Sequence, residues 1–241
     1  QLTLKVFPVP EDQALVAFAV NAAAVGPTLD RLHASAARPA AVELLYGDAV
    51  KGVASGPWAG LPDVGPWVIV AGFEEKAATV AWQVATLKDE LKSAPVRDVV
   101  EVRGPACDPL WAALTESQRP AGGRLTFKAN VLPSRVAAVV AEAVSHPEVR
   151  HLSAHAGSGI VWGHCPADDL TADRAAAILA GVQAKCGDGN ANVVVRDCPS
   201  GWKAVLPVWG RPTGDRGLMR TVKATLDPRN VFNPGRLFGD V

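Results

Sequence analysis

VRHLSAHAGSGIVWGH, Val149 to His164, decides the fold. Val149 to Ala156 reads as a strand and Ile160 to His164 as its return strand. Between them Gly157-Ser158-Gly159 reads as a tight hairpin turn, because glycine supplies the positive φ that such turns need. The flanks complete a unit. On the N-terminal side Leu125 to Leu132 reads as a strand. Ser134 caps a helix running through Ser145, with Val136, Val139, Val140 and Val144 facing inward. On the C-terminal side Thr171 caps a helix to about Cys186, with Ala175, Ile178, Leu179 and Val182 toward the core. Asn192 to Arg196 closes the unit as a strand. The order is βαββαβ, a ferredoxin-like plan.

The first half of the chain repeats this order. Leu2 to Val6 alternates like a strand, and Ala14 to Val20 is a continuous apolar run that suits a buried strand or a short helix. Gly26-Pro27 opens a helix to about Ser35, and Ala41 to Tyr46 reads as a strand. Gly47 to Gly65 is a turn-rich loop, and Trp67 to Phe73 is a strand. Glu74 to Ser93 is a helix, with Val80, Val84, Leu87 and Leu91 on one face and Glu74 and Glu75 favourably placed at its start. Val96 to Val102 ends the half, and a short helix around Pro109 to Ser117 leads to the next. The expectation is an α+β fold of duplicated ferredoxin-like antiparallel sheets with helices on one face. The other faces are free to pack together or to line a cleft. The halves are 1–105 and 120–198, and a C-terminal helix and tail occupy 199–241.

Composition limits the function. Lys and Arg number 24 against 24 Asp and Glu, which gives no reason to expect nucleic acid or an acidic membrane as partner. No apolar run approaches the roughly 18 residues of a bilayer span, and the first residues do not read as a signal peptide. The four cysteines, Cys107, Cys165, Cys186 and Cys198, form no CxxC pair and read as free thiols, with disulfides or a metal as the alternative. The seven tryptophans are scattered and suit packing. The sequence does not begin with methionine, and the chain is expected to start partway into a longer protein.

After Arg196 the character changes. Pro199 to Pro212 is too irregular for a regular element. A helix over Asp215 to Leu226 carries Leu218, Met219, Val222 and Leu226 as an apolar stripe. Pro228 stops it, and Asn233-Pro234-Gly235 forces a sharp turn. The tail is therefore a stiff apolar hook that either returns toward a neighbouring surface or packs on its own domain.

KATLDPRNVFNPGRL, Lys223 to Leu237, resembles the C-terminal signature of FAD-linked oxidases of the vanillyl-alcohol-oxidase type, K-x-x-L-D-P-x-x-x-x-N-P-G. VWGRPTGDRGLMR (Val208 to Arg220) and FKANVLPS (Phe127 to Ser134) resemble most closely the FAD-binding E subunit of bacterial glycolate oxidase. The resemblance spans nearly the whole chain. It implies a C-terminal substrate or cap domain over 1–241, with FAD held mainly by an N-terminal domain absent here. Taken alone, such a chain is expected to bind little or no FAD, to be inactive, and to expose an apolar patch near Trp202, Trp209 and Phe232. Asn233, Pro234, Gly235 and Arg236 would lie near the isoalloxazine.

Relatives acting on 2-hydroxy acids carry two metal-binding histidines on the second-half hairpin, in H-x-G-D-G-N-x-H. Here HAGSGIVW keeps His155, Gly157 and Gly159, but Trp162 stands where the second histidine belongs. VVVRDCPSG, Val193 to Gly201, lacks the later acidic ligand and its His-Gly. One histidine does not hold a catalytic metal, so no metal is expected. His155 is the candidate catalytic base, against an ordinary strand histidine. By the resemblance Lys128 would pair with a substrate carboxylate, against a solvated lysine, and Arg196, Arg211 and Trp162 are further substrate-binding candidates. CGDGN, Cys186 to Asn190, reads as a helix C-cap at Gly187 followed by a turn.

These residues imply an FAD-dependent subunit that, in the full complex, oxidises glycolate to glyoxylate. The implied partners are its own FAD-binding domain, a flavin D-type subunit, an iron-sulfur F-type subunit and a small 2-hydroxy acid. The implied location is the cytoplasm, with any membrane association through partner subunits. The alternative is a non-catalytic ferredoxin-like module for ligand sensing or subunit assembly.

Overall fold

The structure is a computed structural model that describes residues 9–54, 58, 65–118, 122–189, 191–212 and 214–235. The expected strand from Leu2 to Val6 and the candidate Arg236 lie outside them.

The second half follows the βαββαβ order, and the first half follows it with one helix added between its second and third strands. The first half holds β1 (Asp12–Val20), α1 (Val25–Ala34), β2 (Ala41–Gly47), α2 (Asp48–Ala54), β3 (Trp67–Glu75), α3 (Ala77–Leu91) and β4 (Val96–Arg103). Helix α4 (Asp108–Glu116) connects it to β5 (Leu125–Asn130), α5 (Val136–Ser145), β6 (His151–His155), β7 (Ile160–Cys165), α6 (Ala172–Cys186) and β8 (Asn192–Asp197). Helix α7 (Arg216–Leu226) follows. The apolar run Ala14 to Val20 is the strand alternative, buried along its whole length because both faces of β1 are covered.

The two sheets join edge to edge. A single eight-stranded sheet runs β4-β1-β3-β2-β6-β7-β5-β8, and every pairing in it is antiparallel. The seam is β2 against β6, with Glu43 opposite His155 and Tyr46 opposite Leu152. The second half thus continues the first in mirrored strand order.

One face carries α1, α3, α5 and α6 over a shared core that includes Phe18, Leu44, Ile69, Phe73, Phe127 and Leu152. Gly163 belongs to this face for a steric reason: a Cβ there would sit 2.2 Å from the Phe127 ring. The opposite face differs between the halves. In the first half Leu15, Ala17, Leu45, Val68 and Val70 are covered by Ala49, Val50 and Val53 of α2 and by Leu110 and Leu114 of α4. In the second half that face carries Thr126, Lys128, Ser153, His155, Trp162, His164 and Arg196, largely polar, with α2 and α4 reaching only its His151–His164 end.

Several sequence expectations need correction. Gly47 to Gly65 begins with helix α2, because the apolar underside of β2 and β3 must be covered and Ala49, Val50 and Val53 fall on one helical face. Glu74 and Glu75 end β3 and do not open α3, whose first turn holds no acid. Ser134 makes no capping bond, since Pro133 starts a 3-10 turn through Arg135 before α5 begins. Ser200–Ala204 within the irregular stretch is a 3-10 turn. Thr171 does cap α6, its hydroxyl accepting the Arg174 N–H at 3.3 Å, and Gly187 ends that helix with φ 89°. All four cysteines are free, three of them buried. Among the described residues no helix is long and apolar enough to cross a membrane.

Candidate functional site

The open face of the second half gathers most of the candidate residues. Lys128 on β5 stands directly opposite Trp162 on β7, and Trp162 stands opposite Ser153 on β6. A bulge in the β5–β8 pairing near Thr126 and Phe127 lets Arg196 reach the same ring. The Lys128 ammonium lies 5.5 Å from the Trp162 centroid and the Arg196 guanidinium 5.9 Å from it. Both distances suit cation–π attraction. Among the described residues no carboxylate pairs with either cation. Two cations over one aromatic floor, unpaired with any described carboxylate, attract an anion of small size.

His155 lies one step further along the sheet. Its Nδ1 is 2.7 and 2.8 Å from the two carboxylate oxygens of Glu43 on β2. Glu43 raises the His155 pKa above the ordinary histidine value, against burial and the nearby Lys128 charge. Sequence reasoning missed Glu43, because only the β2–β6 seam brings it to His155.

At the other end of the same face His164 Nδ1 shares a 3.0 Å hydrogen bond with Thr126 Oγ1. His151 packs edge-on against His164 with ring centroids 4.9 Å apart, and donates from Nε2 to the Ser117 carbonyl at 2.5 Å. Both rings border a crevice of about 470 Å³ under α2 and α4. Among the described residues no group of three or more His, Cys, Asp and Glu is placed to hold a metal.

Arg211 does not join the Trp162 cluster. Its guanidinium donates to the Gly189 carbonyl at 2.9 Å and its backbone N–H to Asn192 Oδ1 at 2.9 Å. It therefore fastens the α6–β8 turn to the segment after Val208, whose carbonyl in turn accepts the Val195 N–H of edge strand β8 at 2.9 Å.

The tail forms a separate feature. Asp227 ends α7 and accepts the N–H groups of Val231 at 2.9 Å and Phe232 at 2.8 Å, while Lys223 pairs with Asp227 and donates to the Phe232 carbonyl. Lys223 and these N–H groups hold the Asp227 carboxyl below the usual carboxylate range. Asn230, Asn233 and Gly235 take the left-handed conformation, with φ 49°, 49° and 69°. Lys223 and Asp227 are therefore the clasp of the hook. No residue of α7 is buried, and Leu218, Val222, Leu226 and Phe232 lie exposed. Trp209, Val222, Leu226, Phe232 and Asn233 line an open groove of about 610 Å³. Trp209 and Phe232 match the expected apolar patch. Trp202 departs from it, because it packs against the helix-side core under Arg124.

The family model described as FAD linked oxidases, C-terminal domain, matches residues 9–165 and 213–237. The chain belongs to this family. No curated protein matches the sequence. Among solved structures, the chain is similar to p-cresol methylhydroxylase with substrate bound, 15% identical with TM-score 0.61, covering 96% of this chain and 53% of that one. It is also similar to 4-ethylphenol oxidase from Gulosibacter chungangensis in an isoeugenol complex, 11% identical with TM-score 0.56, covering 98% and 55%. At these identities the likeness is one of fold. The chain spans about half the length of each.

Within this FAD-linked oxidase domain the residues present fit a flavin edge at the hook. Trp209 and Phe232 supply apolar walls and Asn233 an amide in one exposed groove. A planar heterocycle with a polar rim needs both.

Proposed function

We propose that this domain is the substrate-facing C-terminal part of an FAD-dependent oxidoreductase acting on a small 2-hydroxy acid, with glycolate going to glyoxylate. On this reading it belongs to an E-type subunit of a bacterial glycolate oxidase, working beside D-type and F-type subunits. The observation that carries the substrate class is the placement of Lys128 and Arg196 over Trp162, with no carboxylate among the described residues paired to either.

When bound, the flavin supplies the acceptor for the hydrogen leaving C2 of the acid. The chain's own residues do the rest. Lys128 and Arg196 hold the substrate carboxylate, and charge-assisted hydrogen bonds of this kind are short and directional. Trp162 sets the floor and keeps the site small. His155, one step along the face, is the base for the 2-hydroxyl proton. Asn233, Pro234 and Gly235 of the hook face the flavin, with Arg236 following them. The exposed stripe of α7, with Trp209 and Phe232, is the surface that a flavin-binding domain covers, since apolar area of this extent is rarely left in water.

Kinetics on the oxidase that contains this domain test the reading. Lys128→Met is expected to raise KM for glycolate by roughly 10- to 100-fold, the worth of one hydrogen bond to a charged group. The more exposed Arg196→Gln should raise it less. Because the cations bind the carboxylate before and during reaction alike, kcat should change little. Turnover of a neutral 4-alkylphenol with 2-hydroxy acids inert would overturn the substrate class.

A further inference from the structure

We propose that Glu43 is a positioning residue for His155, forming a carboxylate–imidazole dyad across the seam between the two halves. The proposal rests on the function read above.

The geometry is that of a held base. Glu43 on β2 and His155 on β6 are register partners, so the backbone of the seam fixes their separation. The Glu43 side chain is only 10% exposed, which keeps its carboxylate on the ring instead of in water. Both carboxylate oxygens lie within 2.8 Å of Nδ1. Nδ1–H therefore donates to Glu43, and the tautomer that results leaves the Nε2 lone pair free. The ring borders a cavity of about 380 Å³ whose other walls include His33, Arg38, Gly157 and Ser158. The ring is therefore reachable from this side, while Lys128, Trp162 and Arg196 lie outside the cavity walls. The charged and titratable groups around the ring are Glu43 from β2, Lys128 from β5, and His33 and Arg38 from α1 and the segment after it.

The step balances. Nε2 of His155 takes the 2-hydroxyl proton as the O–H bond breaks. The electron pair left on oxygen closes the C2=O bond. The C2 hydrogen would leave with its pair, the two-electron oxidant being the flavin that the whole oxidase would hold. Glu43 meets the positive charge that then resides on His155.

The predicted sign is specific. His155 must be neutral to act, so the rate rises with pH through its pKa. Glu43 raises that pKa. Glu43→Gln should therefore move the acid limb of kcat to lower pH, and lower the plateau at least about 10-fold, as loss of the carboxylate that orients a catalytic imidazole does. KM for glycolate should hold within about threefold, since Lys128 and Arg196 remain. Glu43→Asp keeps the charge and should move the limb back toward its wild-type position. Titration of the His155 ring by NMR, in wild type and Glu43→Gln, reads the coupling without turnover.

Agreement of the ring titration with the acid limb in wild type and Glu43→Gln, with the limb of Glu43→Asp moved back toward wild type, supports the dyad. An NMR shift with unchanged pH profile and plateau makes the pair a seam contact only and overturns it. So does identical behaviour of Glu43→Gln and Glu43→Asp. Wild-type enzyme inert toward glycolate and lactate overturns the substrate reading and the dyad's role with it; an active wild type with an unaltered Glu43→Gln overturns the dyad alone.

Discussion

Gly159→Ala should cost the fold roughly 3 kcal/mol, whereas Gly157→Ala two residues earlier should be close to neutral. Both glycines sit in the turn between β6 and β7, and the sequence does not distinguish them. The structure does. Gly159 takes φ 68°, the left-handed region where a side chain costs about 1–2 kcal/mol. Its Cβ would also fall 1.8 Å from the Val131 carbonyl oxygen, a backbone atom that cannot swing aside. The same approach lets Gly159 accept the Val131 N–H at 2.8 Å, so relief of the clash breaks a hydrogen bond at the end of β5. Overpacking of this kind adds about 1–3 kcal/mol. Gly157 has an ordinary φ and nothing within 4 Å of a built Cβ. Urea unfolding of the two single variants checks the contrast. Equal midpoints would show that the hairpin is free to rearrange and that its register is not pinned at Gly159.

That pair of glycines also shows what the sequence exposes and what it hides. Local signals were legible. The turn glycines, the Thr171 cap, the apolar faces of α3, α5 and α6, and the Asp227-Pro228 stop all act within a few residues of themselves. Signals that depend on strand order were not. Glu43 and His155 are 112 residues apart, and only the β2–β6 seam makes them neighbours. Helix α2 was hidden for the same reason: Gly52 and the glycines and prolines that follow mark a loop, while the demand for a helix comes from the apolar underside of β1, β2 and β3. Lys128, Trp162 and Arg196 were each singled out from residue type and resemblance. Their convergence needed the β5–β7 register and the bulge opposite β8. Arg211 belongs to the same residue type but was claimed by a turn carbonyl, which no local pattern announces.

Acid should weaken this fold through His164 by an amount a single-residue change can isolate. His164 is 3% exposed, its Nε2 has no hydrogen-bond partner, and His151 stands against it. Burial, and then the neighbouring His151 charge, push its pKa down to about 3. In the unfolded chain the same ring titrates near 6.5. Between those values the unfolded state binds a proton that the folded state refuses, so stability is intact above pH 6.5 and falls as pH drops through the window toward 3. At pH 4 the difference amounts to about 3 kcal/mol, a large share of a marginal fold. His151, also lowered by burial, acts in the same direction. His155 acts against them, since its raised pKa gives stability present below the ordinary histidine value and lost as pH rises through the folded one. His164→Gln, which retains a partner for Thr126, removes the largest of these contributions. Unfolding free energies of wild type and variant, measured in urea from pH 7 to pH 4, should converge by about 3 kcal/mol as the pH falls. Parallel curves would mean that the crevice opens to water when His164 is protonated, and that the ring is not held in the dry environment its position on β7 describes.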